Sequence, residues 1–341
     1  MDWRSGYTAS WTLARVNPET WADQAAIGGV DSASITRTAG GDLLESGSIA
    51  VTGAEPEPGY YRLVMVATQD GAAERVEGST MLFEQTGGTA DYGTVQRTME
   101  GRSVLYPASV LSVAGANVLY CPAGVDGAAF VGDLLESCLD APVSVECSFT
   151  LADAVVFDYP SASVLESCWS VLDAAGARLS IDGNGTVHIV MDTASKLELG
   201  DANARLLQYG IKYGADMSDV PNRYIAVGDY ETAVAVNQSD GATSRDSRGW
   251  WHDEVDTSPK PLGNETLAAY AQRKLEEAST VGETRTYTRE FLPGVYPGDT
   301  VHGSLAEQML EGDMTVTKQR LKCGDGIAVT EEATKGVSLW S

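Results

Sequence analysis

The sequence predicts an α+β, β-rich fold, and three features support that expectation. Short alternating apolar and polar runs, broken by Gly, Pro and Asp turns, fill both ends of the chain. Helix-period apolar stripes occur twice in the middle. One further helical stretch stands alone near residues 264–279. Period-two runs bounded by turn residues read as strands, whereas 3.6-residue stripes read as amphipathic helices.

Residues 1–105 read as strands and turns. Ser34 to Ala39 alternates and stops at Gly40-Gly41, and Ser48 to Thr52 stops at Gly53. Tyr60 to Thr68 ends at Asp70-Gly71, and Glu74 to Glu84 returns after it. An Asp-Gly step between extended runs is a hairpin signal. Several such strands in succession suggest a small barrel or a sandwich.

Residues 106–200 change character. Ala128 to Leu139 places Phe130, Leu134, Leu135 and Leu139 near one helical face, and Val143 to Phe149 follows as a strand. The pattern recurs in Ser163 to Gly176, where Val164, Leu165, Cys168, Trp169 and Leu172 form the stripe and Gly176 suits a C-terminal cap. A hairpin then runs from Arg178 to Val190 around Gly183-Asn184-Gly185. Residues 201–341 return to strands, with Asn264 as the expected N-cap of their one helix. Thr284 to Phe291 alternates cleanly, Pro297-Gly298-Asp299 reads as a turn, and two closing strands flank Gly324-Asp325-Gly326.

The chain has 341 residues, enough for two or three domains. Hydrophobic content of 43% and charged content of 21% suit an ordinary globular protein. The apolar runs are too short to span a bilayer, so no stable membrane insertion is expected. Met1 to Arg4 shows no secretory signal, so synthesis and folding in a cytoplasm are expected. The net charge of -25 argues against direct phosphate binding. It suits either plain solubility or a basic partner, a calcium-rich exterior or a DNA-repelling lumen.

Candidate chemistry is sparse. Asp153, Asp158, Glu166 and Asp182 fall in the middle region, where a carboxylate pair could cleave glycosides. Chance proximity in so acidic a chain is the better account. His188 alternates within a strand, away from any nucleophile elbow. Gly183-Asn184-Gly185 and Asp325-Gly326 lack the alternating acidic ligands of a calcium loop. Cys121, Cys138, Cys147, Cys168 and Cys323 form no C-x-x-C pair; a disulfide or metal site is one reading, and buried free thiols are the favoured one. Trp250-Trp251 could stack on a sugar or a partner, although anchoring a loop onto the core is favoured; Arg245 and Arg248 beside them could bridge to an acidic neighbour. The expectation is therefore no catalytic, cofactor-binding or metal-binding residue.

Several stretches carry a family resemblance. V-P-N-R-Y-I-A-V (220–227), T-S-R-D-S-R-G (243–249), L-A-A-Y-A-Q-R-K-L-E-E-A-S (267–279) and L-P-G-V-Y-P-G-D-T-V (292–301) follow one another in that order. Upstream, F-D-Y-P-S-A-S-V-L-E-S-C-W leads through a helix to I-D-G-N-G, and R-V-N-P-E-T-W-A-D stands near the start. This order resembles the baseplate hub, or tail-tip hub, proteins of tailed bacteriophages and prophages across nearly the whole chain.

The resemblance implies two small β-barrel-like domains with an inserted helix-containing α+β module. The first barrel would span 1–105, the module 106–200 and the second barrel 201–341. It implies a homotrimeric ring between the tail tube protein, the tape-measure protein and tip or fibre proteins, at the virion tail tip. DNA would pass through without specific binding, and some acids would face the lumen. Some relatives carry a C-terminal cell-wall hydrolase domain, which is not expected here. The alternatives are a peptidoglycan hydrolase of the tail and a carbohydrate-binding adhesin.

Overall fold

The computed structural model describes residues 6–27, 30–40, 43–52, 56–91, 94–191, 195–200, 207–228, 230–238, 241–257, 259, 265–308, 310–323 and 328–338. The chain forms two compact units, residues 1–211 with 287–332, and residues 212–286 with 333–341. The fold is β-rich α+β, as the turn-punctuated sequence implies.

The larger unit opens with seven strands: β1 (Thr8–Val16), β2 (Asp23–Ile27), β3 (Val30–Thr38), β4 (Glu45–Thr52), β5 (Gly59–Gln69), β6 (Ala72–Asp91) and β7 (Thr94–Arg102). The β5–β6 hairpin pairs Gln69 with Ala72, so Asp70 and Gly71 make the turn. Both have positive φ, 50° and 82°, as a two-residue type I′ turn requires. β5 is buried along Tyr60 to Met65, which marks a strand covered on both faces. Tyr61, Leu63 and Met65 join one core with Leu13, Ile35, Ile49, Met81 and Phe83, while Tyr60 joins a second core on the other side.

That second core belongs to the middle of the chain. It comprises α1 (Tyr106–Val110), α2 (Val113–Ala116), β8 (Tyr120–Cys121), α3 (Gly127–Glu136), β9 (Val143–Val145), β10 (Val155–Val156), α4 (Val164–Asp173), β11 (Arg178–Ile181) and β12 (Val187–Val190). Asp126 caps α3 by accepting from Ala128 and Ala129 N–H groups. The buried face of α3 is Val131, Leu134 and Leu135, with Phe130 only half-buried. Ser163 and Glu166 close a reciprocal capping box on α4, whose Val164, Leu165, Cys168, Val171 and Leu172 are buried. Burial contributes about 1.5–3 kcal/mol for each large aliphatic side chain. β11 and β12 form the expected hairpin, and β12 pairs in parallel with β9.

The C-terminal strands return to the first sheet. In chain order the remaining elements are β13 (Ser195–Leu199), β14 (Leu207–Ala215), β15 (Arg223–Val227), β16 (Thr232–Val236), α5 (Arg245–Arg248), β17 (Asp253–Asp256), α6 (Leu267–Ala278), β18 (Thr280–Glu290), β19 (Thr300–Leu305), β20 (Leu310–Cys323) and β21 (Ala328–Ser338). β20 runs antiparallel to β3, with Leu321 opposite Ile35, and so joins the two ends of the chain in one sheet. The order β21-β20-β3-β4-β7-β6-β5-β1-β2 is continuous.

In the smaller unit, β15 lies between antiparallel β16 and parallel β17. One face of this sheet, Tyr224, Ala226 and Ala235, packs on Leu267, Tyr270, Ala271 and Leu275 of α6. The N-cap of α6 is Thr266, whose side chain accepts from Ala269 N–H; Asn264 and the Gly324–Gly326 turn lie outside the described residues.

Alternation across Thr284–Phe291 places Tyr287, Arg289 and Phe291 inward, and all three are buried. Arg289 donates twice to Glu331 of β21, at 2.8 and 2.7 Å, with neither side chain more than 1% exposed. Gln319 of β20 bonds the same carboxylate at 2.6 Å and the Val295 carbonyl at 2.8 Å. A buried charge left without its partner is costly, whereas replacing both partners with apolar groups is close to neutral. Arg289→Met alone is therefore expected to destabilise by about 3–5 kcal/mol, with most of the loss recovered in Arg289→Met/Glu331→Leu. Urea melts of the two variants check this; an equal loss in both contradicts it.

Candidate functional site

The Asp182–Gly185 turn of the middle module is bonded both internally and to other parts of the larger unit. Asp182 Oδ1 accepts from Thr186 N–H at 2.9 Å, and Gly185 N–H bonds the Asp182 carbonyl at 3.0 Å. The turn meets β5, β6 and their neighbours. Thr80 Oγ1 donates to the Gly183 carbonyl at 3.0 Å, and Trp21 Nε1 donates to the Asn184 carbonyl at 2.8 Å. Arg62 reaches the same Asn184 carbonyl at 3.2 Å while also bonding Thr80 and pairing with Asp23. From the C-terminal segment, the Tyr296 hydroxyl accepts from Gly183 N–H at 3.1 Å.

Both glycines in this turn are required. A Cβ on Gly183 would sit 1.9 Å from the Glu77 carbonyl oxygen. Gly185 has φ of 81°, and a Cβ there would be 2.7 Å from Thr80 Cβ. A few residues away, Arg178 pairs with Asp299 at 3.0 Å and donates to the Pro297 carbonyl at 3.4 Å. The Pro297-Gly298-Asp299 turn is thus the seat for the base of the β11–β12 hairpin. The hairpin and both turns were legible in sequence, but their mutual docking was not.

The middle-region acids are mostly committed to structure. His188 lies between Glu146, at 2.5 Å from Nδ1, and Asp182, at 3.2 Å from Nε2. Glu166 accepts from Ser163 N–H at 2.6 Å as the α4 cap. Asp158 accepts from Ser161 Oγ at 3.0 Å. Asp158 and Glu166 line one open hollow, which does not include Asp153 or Asp182.

The Trp250-Trp251 loop is held by arginines. Trp250 and Trp251 are 51% and 40% exposed, so burial in the core does not anchor them. Arg223 and Arg245 stack on the Trp251 ring at 4.8 and 5.3 Å, and Arg248 stacks on Trp250 at 5.3 Å. Arg248 also donates to the carbonyls of Met217 and Val220, and Arg223 pairs with Asp253. The fully buried Asn222 of V-P-N-R-Y clasps the loop backbone, donating to the Trp250 carbonyl at 3.0 Å and accepting from His252 N–H at 2.9 Å. A lone Asn after a Pro gives no sequence signal for that role.

The five cysteines are free thiols, with Cys121, Cys168 and Cys323 buried. Burial pushes Cys138 up to about 11 and Cys323 up to about 12, away from thiolate chemistry. Among the described residues, no group of three or more His, Cys, Asp and Glu could hold a metal ion. No described helix is long and apolar enough to cross a membrane.

The fold is that of phage and prophage tail proteins. The tail protein of Neisseria meningitidis MC58 superposes with a TM-score of 0.65 over 98% of each chain, at 15% identity. The 43 kDa tail protein of prophage MuSo2 from Shewanella oneidensis gives 0.66 over 96% of this chain and 98% of its own, at 12% identity. A chain of the Francisella PdpA–VgrG complex gives 0.57 at 6% identity, over 97% of this chain and 58% of its own. No protein-family model and no curated protein matches the sequence.

The His188 clamp has a defined pH signature. Its hydrogen bond to Asp182, aided by Glu146, holds the His188 pKa above the ordinary 6.5. A raised folded-state pKa contributes stability fully below the unfolded value and loses it as pH rises through the folded value. His188→Asn is therefore expected to cost stability near pH 5.5 and to cost progressively less above neutrality. Denaturation of both proteins across pH checks this; a deficit independent of pH contradicts it.

Proposed function

We propose that this chain is a structural hub of a phage or prophage tail tip, with three copies forming a ring that joins the tail tube to tip proteins. The observation that carries the reading is the end-to-end likeness to tail proteins, over 96–98% of this chain and 98% of theirs. The likeness includes the middle module as well as the strands. On this reading, residues 1–105 and 201–341 supply barrel-like walls and residues 106–200 project as an insertion. The tape-measure protein and tip or fibre proteins would be its other neighbours, and DNA would traverse the ring without specific binding. A net charge of -25 supports a wall that repels phosphate.

The role is structural and not catalytic. Of the acids singled out in sequence, Glu166 caps α4, and Asp182 both braces the turn and clamps His188.

Sedimentation of the purified chain, alone and mixed with its tail tube and tip proteins, tests the proposal. The expected species has three times the 36.0 kDa protomer mass. Negative-stain images should show it as a ring. A chain that stays monomeric at high concentration and is not recruited by either partner overturns the reading.

A further inference from the structure

The middle module carries an unusual charge distribution. Between Ser103 and Ala177 the sequence has nine Asp and Glu and not one Lys, Arg or His. All of these acids except Asp126 are exposed. On the same module the β8–β10 ribbon turns apolar side chains outward. Val156 pairs with Tyr120 across the ribbon, and they are 78% and 49% exposed. Leu119 and Tyr159, which flank the pair, are 52% and 54% exposed. Cys121 and Phe157 point inward and seat the ribbon on the core, so the outward residues are firmly held.

Beside Val156 lies an open hollow of about 420 Å³. Val156 and Phe157 form its apolar wall, Asp158 and Glu166 supply carboxylates, and Ser161 and Ser167 supply hydroxyls. An apolar wall next to two carboxylates suits an Arg or Lys side chain, whose aliphatic stem packs while its charged head stays at the wet end. Contiguous exposed apolar side chains mark interaction surfaces.

We propose that the β8–β10 ribbon and this hollow form a docking surface for a basic, apolar-anchored segment of another protein. The charge decides among occupants. A base-free acidic surface repels nucleic acid and anionic lipid, and it favours a partner that brings Lys or Arg around an aliphatic anchor. A second copy of this chain brings a net charge of -25 to the same surface. The proposal holds wherever in a tail the chain sits.

The test uses the full chain and three fluorescein-labelled peptides. The first alternates Lys and Arg with Val and Leu, the second has Ser at the apolar positions, and the third has Glu at the basic positions. Anisotropy is read at about 0.15 M salt, where long-range attraction is screened beyond about 8 Å. Saturable binding of the first peptide is expected, with each of the others about tenfold weaker.

Tyr120→Ser/Val156→Ser and Asp158→Asn/Glu166→Gln should each weaken the first peptide about tenfold. Gln at 166 preserves the α4 capping box. A control with the same charge change elsewhere, Glu19→Gln/Asp70→Asn, should leave binding unchanged. Unaltered thermal melts establish that the variants are folded. No binding, equal binding of the Ser peptide, or equal loss in the control overturns the proposal. So does self-association of the chain that the Tyr120→Ser/Val156→Ser variant abolishes.

Discussion

Gly183 approaches β6 so closely that a Cβ there would meet the Glu77 carbonyl oxygen at 1.9 Å, and the placement of the middle module depends on that approach. The turn lies where three parts of the larger unit converge. Trp21, Arg62 and Thr80 reach it from the N-terminal strands, and Tyr296 from the segment before β19. Each bond is worth only about 0.5–1.5 kcal/mol net. Removing the contact nonetheless strands several buried polar groups together, and an unsatisfied buried group costs about 1–3 kcal/mol.

Buried arginines play the corresponding part inside the sheet. Arg37 pairs with Glu45 at 2.9 Å with both nearly inaccessible, and Ser79 bonds the same carboxylate at 2.6 Å. Arg289 pairs with Glu331 in the same manner. Such pairs contribute little net stability compared with apolar packing, but they penalise any register that separates the partners. Sliding β21 by one residue against β18 would put Glu331 on the opposite face from Arg289. A chain whose sheet joins strands from both termini has many alternative pairings to reject, and these pairs help reject them.

Much of the local structure was readable from sequence, because turns and helix caps are local chemistry. Asp70-Gly71 and Pro297-Gly298-Asp299 each declare themselves within three residues. Alternation in Thr284–Phe291 was plain in sequence, and the structure shows that the face carrying Arg285, Tyr287, Arg289 and Phe291 is the inward one. What stayed hidden was long-range. Nothing near Arg289 points to Glu331, and nothing near Leu321 points to Ile35. The Trp250-Trp251 rings illustrate the limit: large aromatics suggest burial, yet stacked arginines hold them at the surface. The family resemblance rested on the order of those local motifs, and the fold agrees with it end to end.

Shape held by close contact is the central claim, and the Gly183 approach to β6 is where it is tested most directly. Hydrogen–deuterium exchange on Gly183→Ala measures it directly. The account expects faster exchange in residues 178–190 and, at the same time, in β6 around Glu77 to Thr80, with residues 223–236 of the smaller unit unchanged. Exchange in Gly183→Ala indistinguishable from the parent across both segments would contradict the account.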